Sequence, residues 1–84
     1  MCQHGINLSQ FEMMIEQMDD QLALNRRWLH KMAHNAGDNG YTKTDEALHK
    51  AQQLMDDARA LLSDAKVALE DDAENLSGVT VTPL

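Results

Sequence analysis

Three histidines come first among the residues that could do chemistry. His30 and His34 stand four apart in the run HKMAH, and that spacing sets two imidazoles on one face of a helix, as a zinc site requires. Lys31 stands where a metalloprotease HExxH motif carries its glutamate, so that motif is absent. In a hairpin, His49 falls roughly opposite His30, yet all three rings are expected to point away from the core. We therefore assign no metal ligands and no cofactor.

Carboxylates occur in pairs at Asp19–Asp20, Asp56–Asp57 and Asp71–Asp72. None adjoins an apolar pocket that would raise one pKa and separate an acid from a base. The run DDAENLSG lacks the alternating oxygen ligands of a calcium loop. Ser9 and Ser63 belong to no nucleophile motif. The sequence reads as a protein that is not an enzyme.

Composition points to contact rather than catalysis. Fourteen acidic residues against seven basic give a formal charge of −7, which disfavours a general footprint on nucleic acid or an anionic membrane and leaves a basic protein partner open. Hydrophobic residues form 43% of the 84, mostly Leu, Met and Ala, which enter helices at little cost. No long apolar run suggests a membrane span or a signal peptide, and the single Cys2 allows no intrachain disulfide; a cytoplasmic location is the expectation.

The elements that must position these groups are two long helices. From Thr42 onward, Leu48, Met55, Leu62, Leu69 and Leu76 recur every seventh residue, with Ala51, Ala58 and Ala65 three positions after the first three, an apolar seam on one helix side. Upstream, Phe11, Ile15, Met18, Leu22, Leu29, Met32 and Ala36 alternate by fours and threes, with Asn25 the one polar position. Asn25 either fixes register across a twofold or lies where the seam drifts into water.

Ser9 with Glu12 predicts a capping box at the first helix start, with Leu8 and Met13 as its staple. Gly37 is the expected C-terminal stop, AGDNGYT the linker, and Thr42 or Thr44 the second cap. This predicts one domain over 1–84, with helix 1 at about 10–36, helix 2 at about 43–75 and an extended tail at 77–84. The tail GVTVTPL either frays or pairs with a sheet edge on a partner.

The fold class expected is all-α, an antiparallel two-helix hairpin. Each helix carries more apolar surface than one neighbour can cover: Ala47, Leu54 and Leu61 flank the second seam, Met14 and Trp28 the first. That excess predicts a homodimer forming a four-helix bundle, or a patch kept for another protein. Bases (Arg26, Arg27, Lys31, Lys43, Lys50) gather at the loop end and acids at the other.

The function expected is a small acidic protein-binding or regulatory module. Its surface is built from Met14, Trp28 and Met32, or from the acidic end around Asp71, Asp72 and Glu74. A structural or assembly component is the alternative, and an acidic mimic of nucleic acid that inhibits a DNA- or RNA-binding protein is another.

Overall fold

The structure, a computed structural model, describes residues 7–77. It is an all-helical hairpin of two antiparallel helices, α1 (Leu8–Asp38) and α2 (Thr42–Ser77). The readings made above for Cys2 and the GVTVTPL tail from Gly78 lie outside the described residues.

The first cap is Asn7, not Ser9. Its side chain accepts the Gln10 backbone N–H at 3.0 Å, and its carbonyl accepts the Phe11 N–H at 2.9 Å. Asn caps as well as Ser does, so the upstream candidate adds two residues to the helix, and Ser9 becomes part of its first turn.

The stop is likewise displaced, from Gly37 to Gly40. The Tyr41 N–H donates to the Ala36 carbonyl (2.8 Å) and the Gly40 N–H to that of Gly37 (3.1 Å), with Gly40 at φ 82°. That pair of bonds is a Schellman closure, in which only the residue after the cap must be left-handed. Gly37 stays helical and has another use: a Cβ there would stand 2.7 Å from Asp45 Oδ2, so its bare backbone lets the start of α2 approach. Helix α2 opens at Thr42, leaving Tyr41 in the cap position, where its carbonyl receives the Asp45 N–H at 2.9 Å. Neither Thr42 nor Thr44 is the cap.

Half of the expected α1 seam faces α2. Ile15, Leu22, Leu29 and Ala36 are half-buried, and across from them Leu48, Met55, Leu62 and Leu69 alternate with Ala51, Ala58 and Ala65. The other half does not. Phe11, Met18 and Met32 are exposed, and the second buried row of α1 is instead Glu12, Asp19, Arg26 and Ala33. Leu76, read as the last α2 seam residue, is also exposed.

This rotation brings Asp19 to Arg59 and Arg26 to Asp56, across one edge of the seam. Ala33 is fully buried, and Gln52 is 9% exposed with its Oε1 unpaired. Among the described residues no large side chain is fully buried, so the hairpin has a seam rather than a core. Its radius of gyration is 18.9 Å, against about 12 Å for a compact domain of this length.

Candidate functional site: an uncharged face of the hairpin

The seam divides the hairpin into two faces of opposite character. Moving round each helix in the same angular sense leads to the same face, because the helices are antiparallel and point at each other.

One face is an ion-pair ladder. Lys66 Nζ donates to Glu16 Oε2 at 2.6 Å, and Arg59 grips Asp19 through Nε (2.8 Å) and Nη2 (3.4 Å). Arg26 Nε donates to Asp56 Oδ1. Between the first two rungs a shallow groove is lined by Ile15, Asp19, Asp20, Leu62 and Ser63. Arg59 holds the Asp19 carboxyl below its ordinary pKa, and Asp19 in turn raises that of Arg59. Glu16 raises Lys66 in the same way. At the open end the ladder turns repulsive. Glu12 hydrogen-bonds Glu70, and that bond, with loss of hydration and the Glu70 charge, raises the Glu12 pKa.

The histidines stand at the loop end. His30 and His34 rings are 4.5 Å apart edge-on, and His34 and His49 rings are 6.3 Å apart. His49 Nδ1 lies 3.0 Å from the Asp45 carbonyl and 2.6 Å from Asp45 Oδ1. The second contact is not a hydrogen bond, and the buried Oδ1 has no hydrogen-bond partner. Among the described residues no three His, Cys, Asp or Glu side chains converge as metal ligands.

The opposite face carries no charge along most of its length. On α1 its rows are Phe11, Met18, Asn25 and Met32, and Met14, Gln21, Trp28 and Asn35. On α2 they are Thr44, Ala51, Ala58 and Ala65, and Ala47, Leu54, Leu61 and Ala68. Met18 (53% exposed), Trp28 (58%), Leu54 (68%) and Leu61 (67%) leave much of their apolar surface to water. Near the loop, Met32, Asn35 and Ala36 share a hollow with Tyr41, Thr44 and Leu48, which confirms that these rows of α1 and α2 adjoin. Lys31 Nζ sits 5.2 Å from the Trp28 ring centroid, bordering the face with a cation–π contact.

Of the site residues expected from the sequence, Met14, Trp28 and Met32 fall together on this face. Asp71, Asp72 and Glu74 belong to the open end of α2, and only Asp72 continues a row of the face. Phe11, Met18, Leu54 and Leu61 complete the apolar surface. Their signal was the second heptad row beside each seam, since residues displaced by one from a seven-residue repeat form a stripe of their own.

No described helix is long and apolar enough to cross a membrane. Compared with known proteins, the chain matches no family model, no curated protein and no solved structure.

Proposed function

We propose that this chain is a protein-binding module that works through the uncharged face of its hairpin. The observation that carries this reading is the rotation of α1: Asp19 and Arg26 take seam positions while Phe11, Met18 and Met32 remain outside. Exposed ion pairs contribute at most about 1 kcal/mol each, whereas fully burying one large apolar side chain contributes about 1.5–3 kcal/mol. A hairpin that packed only for itself would turn the Phe/Met row inward. Keeping that row outside makes physical sense when something else covers it.

The exposure of single residues agrees, with Met14, Met18, Trp28, Met32, Leu54 and Leu61 each more than half exposed. Covering Phe11, Met14, Met18, Trp28, Met32, Leu54 and Leu61 releases on the order of 5–10 kcal/mol of transfer free energy before association costs. Bringing them together on one side makes a patch of the kind that marks interaction sites. The ladder face, whose charges already satisfy one another, offers less.

The test is Leu61→Glu set beside Gln53→Glu, an exposed α2 position off the face. Light scattering and affinity capture read every association of the chain, with itself or with another protein. Leu61→Glu is expected to abolish association while Gln53→Glu preserves it. Equal behaviour of the two variants would refute the reading.

A further inference from the structure

We infer that the occupant of the uncharged face is a second copy of this chain, packed face to face with its loop at the opposite end. The inference rests on the docking reading above and names its partner.

The middle of this face is close to symmetric on both helices, polar opposite polar and apolar opposite apolar, and the symmetry stops at Phe11 and Asn35 on α1 and at Thr44 and Asp72 on α2. On α2, Leu54 and Leu61 flank Ala58, Ala51 and Ala65 flank those, and the pattern ends in Ala47 and Ala68. The mirror point is residue 57–58. On α1, Gln21 and Asn25 flank residue 23, Met18 and Trp28 flank those, and Met14 and Met32 follow. Such symmetry on one helix could be chance. Here the two mirror points are also level: the Asp19–Arg59 and Arg26–Asp56 pairs bracket residues 22–23 of α1 and 57–58 of α2.

A twofold axis lying in the face and crossing both helices at that level maps each symmetric stretch onto itself. Helix α1 then lies antiparallel on the partner's α1, and α2 on the partner's α2. Leu54 meets Leu61 across the axis, with Ala58 small enough at the centre to let the backbones approach. Trp28 meets Met18, a sulfur–aromatic contact, and Met32 meets Met14. Gln21 and Asn25, the two polar side chains near the axis, meet each other and exchange hydrogen bonds, so no amide is buried unpaired.

Charge selects this arrangement over its rival. With loops at opposite ends, the acidic end around Glu12, Glu70 and Asp72 is kept away from its copy and meets the partner's loop end, where Lys31, Lys43 and Lys50 balance Asp38, Asp45 and Glu46. With loops at the same end, acid would stack on acid. The area suffices: about 25 residues of each helix, at 1.5 Å rise and about 10 Å width, give roughly 750 Å² per copy, the size of a standard interface.

The experiment uses the full chain with Cys2→Ser. Sedimentation equilibrium is expected to give twice the 9.4 kDa chain mass. Adding Ala58→Cys is expected to yield a disulfide-linked dimer on oxidation with helicity retained, whereas Ser63→Cys, in the ladder-face groove, stays unlinked. Leu61→Glu, present twice at the axis, weakens the dimer by at least ~100-fold. A dimer in which Ala58→Cys does not link to itself, but does link to Asn25→Cys in a mixed sample, has its loops at one end and overturns the axis. A monomeric wild type whose hydrophobic-dye binding is lost in Leu61→Glu overturns the second copy and leaves the docking face. A monomer without such dye binding overturns both.

Discussion

Asp19 and Arg59, forty residues apart, meet through two hydrogen bonds from one guanidinium, at 2.8 and 3.4 Å. The contact goes with the rotation of α1 that leaves Phe11, Met18 and Met32 facing water. Replacing Asp19 by Asn removes the charge and keeps the shape. The folded-state pKa of Asp19 is lowered, so its stabilisation is present above the unfolded carboxyl value and is lost as pH falls through the folded one. Thermal melts across the acid range should show wild type losing this contribution while Asp19→Asn changes less, the gap between them closing at low pH. A constant gap would assign the contact no charge-dependent role.

The Glu12–Glu70 contact has the opposite sign. Glu12 is raised above its ordinary value of 4.5, so the folded state holds the proton more tightly than the unfolded one. Its contribution is present below the unfolded pKa and fades as pH rises through the folded pKa. Glu70→Gln, which removes the charge that raises Glu12, is therefore expected to raise the melting temperature at neutral pH and to gain less at pH 4. Salt should shrink the neutral-pH gain.

Gly37 separates two effects that usually travel together. An alanine in a helix interior is favoured over glycine by about 1 kcal/mol, yet here its Cβ would stand 2.7 Å from Asp45 Oδ2. Gly37→Ala is expected to destabilise the wild type. In an Asp45→Ala background the same change should stabilise by about 1 kcal/mol. Gly40→Ala has no such rescue, because the strain at φ 82° lies in the backbone and costs about 1–2 kcal/mol. Denaturant unfolding of the four variants gives the coupling directly.

Gln52 and Ala33 mark the one place where the seam is closed to water. Gln52→Met removes the unpaired Oε1 at nearly constant volume and should add on the order of 1 kcal/mol to stability. Ala33→Leu adds bulk where none is free and should cost about 1–3 kcal/mol. Should Gln52→Met destabilise, the amide has a partner in solution.

The hairpin was legible because heptads on α2 and the turn residues between Gly37 and Tyr41 point to two antiparallel helices. The sequence pattern puts the turn three residues early, since a glycine pattern cannot say which glycine takes the left-handed angle when two follow closely. The same limit applied to the caps, where Asn7 and Ser9 are chemically equivalent choices. The rotation of α1 was not legible. Two adjacent rows, Phe11/Met18/Met32 and Glu12/Asp19/Arg26, compete for one seam, and hydrophobicity alone picks the wrong one. Arg59 and Lys66, at the same seven-residue spacing on α2, pair with Asp19 and Glu16, and only a pairing register brings these charges together. Met14, Trp28, Leu54 and Leu61 stand out in the sequence as apolar residues flanking the seams, whereas their shared face, and the place of Met32 on it rather than in the seam, depend on the relative rotation of the helices.

The Schellman turn at Asn39–Gly40 leaves a trace in the order of events when the chain folds. Every rung of the ladder joins residues whose numbers sum to roughly 80, so each closes a slightly longer loop than the one nearer the turn. Such a molecule zips outward from Gly40 and unravels inward from its free ends. Opening therefore starts where Glu12 and Glu70 push apart, and amides beside Ala33 and Gln52 should be the last to exchange.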